Sequence, residues 1–271
     1  MLKKISNLLS IVFEKKKIPK YILKYGSIKK AKLIKTHKNN INVIYLVKEK
    51  IFRKFSKNPI GINKIKYENQ GLSWYCKRNK INKNNIIKKF FNKKNLAFID
   101  LKEISGNKVK SWKSLESNYK FLIKTINHYI KFYPKKKISK IHGDLTLDNI
   151  IFGTNKIFII DWEFFGSKKN HRGYDLVYLI LSSACLPYIL NKKFSQRDQK
   201  IFLKLWKILI KKDFNKEMLF NPFEFFKKNI KKDKVLAKSY QLSKSKFFVF
   251  IISNPHKIKI MKLINSLKNE K

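Results

Sequence analysis

The chain has 271 residues, of which 44% are hydrophobic, so it is long enough to bury a substantial core and too apolar to be intrinsically disordered. Its 64 Lys and Arg residues against 17 Asp and Glu give a formal net charge of +47. Because the lysines are spread along the whole chain, we attribute the charge to biased composition and expect no specific nucleic-acid partner, although the positive field favours anionic ligands and leaves open a peripheral contact with anionic membranes.

Cysteine content and hydropathy indicate where the protein works. Two cysteines, Cys76 and Cys185, can build neither a disulfide framework nor a four-ligand zinc site, which is typical of the reducing cytoplasm. The most apolar stretch, residues 176–190, is shorter than the roughly 18 residues of a membrane span. We therefore expect a cytoplasmic protein without a transmembrane segment, with an N-terminal helical extension over residues 1–25. No sequence feature indicates an oligomeric state.

The first part of the chain is predicted to be rich in β-strands. Runs of β-forming residues separated by short polar loops occur at 31–36, 43–47 and 51–55, and they predict an antiparallel meander. A helical pattern over 65–75 follows, and after it a short strand over 97–101.

The clearest helix is predicted over 115–133. Its apolar residues recur at steps of four and three, which makes one apolar stripe, and Pro134 ends it. From Gly173 onward the pattern is mostly helical. The fold is therefore predicted to be α+β, with a small N-terminal antiparallel-sheet lobe over 1–103 and a larger helical lobe over 104–271. A cleft between two such lobes is a usual place for a ligand.

The segment 141–161 reads IHGDLTLDNIIFGTNKIFIID and contains a predicted β-hairpin. Short apolar strands at 150–152 and 157–160 flank four residues that favour a turn. If the strands pair across this four-residue loop, Asn149 and Asp161 meet at the open end of the hairpin, although they are far apart in the sequence. The hairpin therefore brings an amide and a carboxylate side by side.

These side chains suit phosphoryl transfer. Amide and carboxylate oxygens are good ligands for Mg²⁺, which takes one or two carboxylates together with substrate phosphates. Asp144, on the loop leading into the hairpin, can accept a proton from a substrate hydroxyl. Positioning and charge neutralisation do most of the work in this reaction.

The spacing of His142, Asp144, Asn149 and Asp161 resembles the catalytic and metal loops of the protein-kinase-like superfamily. The sequence His-Gly-Asp at the first loop and Ile-Asp-Trp-Glu at the second is similar to the aminoglycoside phosphotransferase and choline kinase family. The resemblance implies a two-lobed protein-kinase-like fold that binds ATP and Mg²⁺. It also implies that Asp144 is the catalytic base, that Asn149 and Asp161 bind Mg²⁺, and that His142 braces the catalytic loop.

In the N-terminal lobe, the resemblance implies a cation that holds the nucleotide phosphates and a helix glutamate that pairs with it. Arg53 and Lys54 both lie on the expected strand, but adjacent strand residues face opposite ways, so only one of them can point into the cleft, and both are candidates. Glu68 is the expected helix partner. The phosphate loop over 37–42 contains no glycine, and Asn42, which begins the strand that follows it, is a further expected nucleotide contact.

Two further acidic residues follow the metal loop. Asp175 occupies a position that resembles a family residue, but we favour a structural role as a helix cap or anchor over direct catalysis. Glu163 is open between contact with metal or substrate and a structural ion pair.

The leading hypothesis is transfer of the γ-phosphoryl group of ATP to a hydroxyl of a small metabolite, such as a sugar, an amino alcohol or a glycan precursor. A related hypothesis has an anionic cell-surface glycan or a lipid head group as the acceptor, to which the positive field is suited. The glycine-free phosphate loop motivates a second alternative, a kinase-like pseudoenzyme that binds a nucleotide or a partner without turnover. A basic nucleic-acid-binding protein is the last alternative, and it would show a steep salt dependence.

Overall fold

The structure is a computed structural model, and it describes residues 31–35, 41–154, 156–166, 169–232 and 254–268. The expected helical extension over 1–25 and most of the loop over 37–42 lie outside these ranges. No helix among the described residues is both long and apolar enough to cross a membrane.

The N-terminal lobe is built on a five-stranded antiparallel sheet with the strand order β1-β2-β3-β5-β4. Its strands are β1 (Ala31–Lys35), β2 (Asn42–Leu46), β3 (Ile51–Ser56), β4 (Ile87–Lys93) and β5 (Leu96–Lys102). The meander of β1, β2 and β3 and the strand now called β5 confirm the sequence predictions. The sequence analysis did not predict β4, since IKKFFNK is rich in lysine. This composition suits an exposed edge strand, where charged side chains discourage pairing with other chains.

Helix α1 (Pro59–Arg78) packs against this sheet and begins six residues before the predicted start at residue 65. Asn58 caps the helix by accepting a hydrogen bond from the Ile60 backbone N–H at 2.9 Å, and Pro59 occupies the first turn, where its missing N–H costs nothing. Gly71 lets the helix lie close to the residues that follow the hairpin, because a Cβ there would be 2.5 Å from Cβ of Trp162.

The C-terminal lobe is mostly helical, as predicted. Its helices are α2 (Leu115–Phe132), α3 (Tyr174–Cys185), α4 (Gln196–Ile210), α5 (Lys216–Phe220), α6 (Pro222–Lys232) and α7 (Lys257–Ser266). Its short strands are β6 (Asn107–Lys108), β7 (Ile138–Lys140), β8 (Ile150–Phe152), β9 (Ile157–Ile159) and β10 (Lys169–His171). Helix α2 confirms the predicted helix over 115–133. Every residue of α3 is buried, which makes this helix the centre of the lobe.

The described buried residues form two apolar clusters on opposite faces of the sheet. The larger core runs from the inner face of the sheet, at Ala97 and Ile99, through α1 and into the helical lobe. The smaller cluster contains Phe55 and Phe98 and lies on the outer face. A small sheet lobe thus precedes a larger helical lobe, and this confirms the predicted α+β architecture.

Candidate active site

A mostly buried lysine joins three elements at the centre of the site. Lys54 Nζ on β3 donates to Glu68 Oε1 at 2.7 Å and Oε2 at 2.8 Å on α1, and to Asp161 Oδ1 at 2.6 Å after β9. Glu68 is fully buried, whereas the Asp161 side chain is 37% exposed. Burial raises the pKa of Glu68, and Lys54 offsets part of that rise. Burial also opposes the charge of Lys54, but the attraction of Asp161 and Glu68 outweighs it and raises the pKa of Lys54.

The structure places the two neighbouring cations of β3 on opposite faces of the sheet. Lys54 is on the inner face and pairs across the sheet with Ile99, which belongs to the large core. Arg53 is on the outer face, where it binds Asp100 through two hydrogen bonds of 2.7 and 2.8 Å and lies 4.5 Å from the centre of the Phe98 ring. The structure therefore brings Lys54 to the predicted site and does not bring Arg53 there.

The predicted hairpin is confirmed residue by residue. Phe152 pairs with Ile157, and the four-residue loop closes with a 2.9 Å hydrogen bond from the Gly153 N–H to the Lys156 carbonyl. At the open end, the Ile160 N–H donates to the Asn149 carbonyl at 2.9 Å, so Asp161 is the next residue after the last pair.

The chain turns sharply after β9. Asp161 adopts a left-handed backbone conformation with a φ of +64°, which is uncommon for a residue other than glycine but is tolerated by aspartate. The next residue, Trp162, is fully buried, and its indole N–H donates to the Ile159 carbonyl at 2.8 Å. The buried indole therefore anchors the turn that directs the Asp161 carboxylate toward Lys54.

A buried carboxylate organises the catalytic loop. Asp175, at the start of α3, accepts hydrogen bonds of 2.9 Å from the backbone N–H groups of His142 and Gly143 and one of 2.8 Å from the Tyr129 hydroxyl. Gly143 has a φ of +91°, and a Cβ there would lie 2.7 Å from Cβ of Phe164. These contacts support the structural role that we favoured for Asp175, although it anchors the catalytic loop, and the N-cap of α3 is Gly173. The positive φ and the close approach of Phe164 explain why the loop requires glycine at position 143.

His142 links the catalytic loop to the hairpin. Its Nε2 lies 2.9 Å from the Ile160 carbonyl, and its Nδ1 lies 3.3 Å from the Asp144 N–H. A ring that donates through Nε2 and accepts through Nδ1 is neutral. Burial favours this state because it lowers the pKa of His142. The contacts suit the bracing role predicted from the family resemblance.

Asp144 lies in an environment that makes it a better base than an ordinary aspartate. Burial raises the pKa of its carboxyl to about 7, and the negative charges of Asp161 and Glu163 add to the rise. The Tyr178 hydroxyl donates to Asp144 Oδ1 at 3.1 Å and opposes the rise by stabilising the carboxylate. A carboxyl with a pKa near neutrality is suited to proton transfer at physiological pH.

The donor set at the hairpin's open end fits Mg²⁺. The Asn149 side-chain N–H donates to the Asp144 carbonyl at 2.8 Å, which fixes the amide and directs its oxygen away from that carbonyl. Asp161 supplies the carboxylate. Within the described residues, no group of three or more His, Cys, Asp or Glu side chains could hold a metal ion by itself. Mg²⁺ takes one or two protein carboxylates and relies on substrate phosphates and water for its remaining ligands.

Sequence reasoning missed two residues of the site, Tyr178, which contacts Asp144, and Lys64. Lys64 on α1 is buried, forms a 3.2 Å ion pair with Glu163 and lies 4.6 Å from the centre of the Phe164 ring. Its position four residues before Glu68 places it on the same face of α1 and could have indicated it. Glu163, whose role the sequence left open, therefore has an ion-pair partner at the edge of the site.

Asn42 is the remaining predicted nucleotide contact. The structure places it at the first position of β2, opposite Phe55, and the next residue, Val43, pairs with Lys54. Asn42 is therefore next to Lys54 in register, but it lies on the outer face of the sheet with Phe55 and Arg53, so the structure does not bring its side chain to the predicted site. The loop residues 36–40 that precede it lie outside the described ranges.

Comparison with known proteins supports the fold. The family model for the RIO domain matches residues 76–173, which include the catalytic loop and the hairpin but neither Lys54 nor Glu68. Together with the two-lobed architecture, this match identifies a protein-kinase-like fold. No curated protein matches the chain. The narrower family that the sequence resembles therefore stays a prediction.

Among solved structures, the chain is similar to several small-molecule kinases. Choline kinase LicA from Streptococcus pneumoniae is 13% identical with a TM-score of 0.43, and the match covers 91% of this chain and 97% of that one. An ethanolamine kinase from Plasmodium vivax is 14% identical with a TM-score of 0.41, covering 97% and 92%. An aminoglycoside-3'-phosphotransferase of type VIII is 12% identical with a TM-score of 0.42, covering 70% and 90%.

Proposed function

We propose that this chain is an ATP-dependent phosphotransferase that moves the γ-phosphoryl group to a hydroxyl of a small metabolite. The observation that carries the proposal is the position of Lys54, which is held between a buried glutamate and the exposed carboxylate of Asp161. A structural ion pair would need only one of these partners. A lysine that is braced from behind and directed at a solvent-accessible carboxylate is suited to holding phosphate oxygens.

Each side chain of the site has a role in this reaction. Glu68 orients Lys54, and Lys54 contacts the phosphates of ATP. Asn149 and Asp161 would hold Mg²⁺, which supplies positive charge that neutralises the phosphate oxygens when it is bound. Placing these charges before the reaction begins is the main contribution of a protein to phosphoryl transfer.

Asp144 would orient the acceptor hydroxyl and take its proton as the new bond to phosphorus forms. The raised pKa of its carboxyl, about 7, and the hydrogen bond from Tyr178 support this assignment. His142 and Asp175 do not touch substrate in this proposal. They position Asp144, because they fix the backbone N–H groups of His142, Gly143 and Asp144 itself.

The acceptor is proposed to be a sugar, an amino alcohol or a glycan precursor. The test is an assay of ADP release with a panel of such acceptors, in which the labelled γ-phosphoryl group must appear on the acceptor. A generic protein substrate belongs in the same panel as the competing acceptor class. Phosphorylation of the protein alone would overturn the small-molecule assignment.

Matched variants separate catalysis from binding without turnover. We expect Asp144→Asn and Asp161→Ala to abolish transfer while the circular dichroism spectrum and the unfolding temperature stay close to those of the wild type. A wild-type protein that binds ATP and Mg²⁺ but releases no ADP would instead support the kinase-like pseudoenzyme. Activity retained by both variants would contradict the proposed site.

A further inference from the structure

A cavity of about 370 Å³ lies at the turn end of the β8–β9 hairpin, opposite the open end that carries Asn149 and Asp161. It is bounded by the end of α1, by one face of α2 and by the first residues leading into β9. None of the residue roles proposed above involves this cavity. Its volume is in the range of sites for small molecules and exceeds the space that a single ion fills.

The lining of this cavity is basic. Lys124 and Lys131 on α2 and Lys156 at the hairpin turn all line it, together with amide side chains that include Asn127. No lining residue is acidic, and none of the three lysines forms an ion pair with a carboxylate in the part of the chain that the structure describes. Lysines are common on this surface, so a single one does not indicate a ligand. Three lysines that line one concave site without any acidic residue do indicate an anionic ligand.

One wall of the cavity is a neutral histidine. The Tyr75 hydroxyl donates to the Ile157 carbonyl at 2.6 Å, so its oxygen accepts from His128 Nε2, 3.0 Å away. The second ring nitrogen, Nδ1, then carries no proton. Burial and the nearby charge of Lys131 lower the pKa of His128 to about 4. A bound anion would neutralise that charge and favour a proton on Nδ1, which would add a hydrogen-bond donor.

We propose that this cavity binds a soluble anion with two or more phosphate groups, either free or carried by a small metabolite. Lysines on two separate elements can contact different phosphates, and lysine is well suited to phosphate oxygens. The proposal concerns binding and does not depend on phosphotransferase activity. The cavity is nonetheless connected to the active site, because Tyr75 lies seven residues after Glu68 on α1 and holds the strand that leads to Asp161.

The test uses isothermal titration calorimetry with inorganic pyrophosphate and, separately, with fructose 1,6-bisphosphate, at fixed ionic strength and without Mg²⁺. We expect the double variant Lys124→Gln/Lys131→Gln to lose affinity by about tenfold or more. The matched control is Lys200→Gln/Lys204→Gln, which removes the same charge from exposed positions on α4 and should bind as the wild type does. Tighter binding of pyrophosphate would indicate a free anion, and tighter binding of fructose 1,6-bisphosphate would indicate phosphates carried by a metabolite.

Nuclear magnetic resonance of the histidine rings locates the bound anion. Pyrophosphate should shift the signals of His128 and raise its pKa, while His256, which is buried beside Ala184, should not respond. Equal losses of affinity in both double variants would overturn the proposal, because they would indicate attraction by net charge alone. Absence of binding, or a shift at His142 instead of His128, would overturn it as well.

Discussion

The two faces of the N-terminal sheet use neighbouring cations for different purposes. On the outer face, Arg53 is paired with Asp100, and the side chains of both are only 5% exposed. On the inner face, Lys54 is paired with the buried Glu68 and also with Asp161, whose side chain is 37% exposed. The outer pair is closed to solvent and to ligands. The inner cluster has one side open to the cleft.

The difference between the two faces shows that, in a chain this rich in lysine, the acidic residues indicate the functional site better than the lysines do. One lysine out of 60 indicates little by itself, whereas acidic residues are scarce, with 17 in the whole chain. Four of these acids, Glu68, Asp144, Asp161 and Glu163, gather around the cleft. The position of the acids therefore marks the site, and it selects Lys54 over its neighbour.

The largest effect is expected at Asp144, the proposed base, which senses the charge of Asp161 in the inner-face cluster. Replacing Asp144 with asparagine keeps the size of the side chain but removes the proton acceptor, so we expect turnover to fall by about 10²- to 10⁴-fold. The measurement is the steady-state rate of ADP release with an acceptor that the wild-type protein phosphorylates. Binding of ATP should be nearly unchanged, and a variant with wild-type turnover would show that Asp144 is not the base.

Lys54→Met should lower turnover by about 10²- to 10³-fold, because the phosphates lose a preorganised charge. It also leaves the buried Glu68 without its cation, so the variant will be less stable. The double variant Lys54→Met/Glu68→Gln removes that buried charge and should recover stability but not activity. If the double variant recovered turnover as well as stability, Lys54 would have only a structural role.

Arg53→Met should produce the opposite result. Asp100 would stay buried without its partner, and this costs about 3–5 kcal/mol of folding free energy. Denaturant unfolding measures that loss, and the double variant Arg53→Met/Asp100→Leu should recover most of it. Turnover per folded molecule should stay at the wild-type level. A fall in turnover comparable to that of Lys54→Met would remove the distinction between the two faces.

The smallest effect is expected from Tyr178→Phe. A base must be deprotonated to act, so turnover should rise with pH through the pKa of Asp144, about 7. Loss of the Tyr178 hydrogen bond should raise that pKa and move the rising limb to higher pH, by about one unit. Tyr119→Phe on α2 is the control and should leave the profile in place. An unshifted profile for Tyr178→Phe would show that the hydroxyl does not influence the base.

The hairpin could be predicted from sequence because its geometry is local. Four turn residues between two short apolar runs fix the pairing, and the pairing alone places Asn149 beside Asp161. Helix α2 was equally accessible, since its apolar stripe and Pro134 mark both its face and its end.

Other features depend on tertiary contacts and could not be predicted from the sequence. Alternation along β3 shows that Arg53 and Lys54 face opposite ways, but which face meets the helical lobe is decided by packing against α1. The anchoring of the catalytic loop by Asp175 crosses more than 30 residues of chain. The start of α1 was missed because SKNPIGINK has no helical periodicity, although Asn58 followed by proline is a recognisable cap.

The most direct test of the inner-face site is calorimetric titration with a non-hydrolysable ATP analogue, with and without Mg²⁺. We expect wild type and Arg53→Met/Asp100→Leu to bind the analogue with the same affinity and to bind it more tightly with Mg²⁺. We expect Lys54→Met/Glu68→Gln to bind weakly and Asp161→Ala to lose the Mg²⁺ dependence. Equal binding by all four proteins, or binding that is indifferent to Mg²⁺ in the wild type, would contradict the site described here.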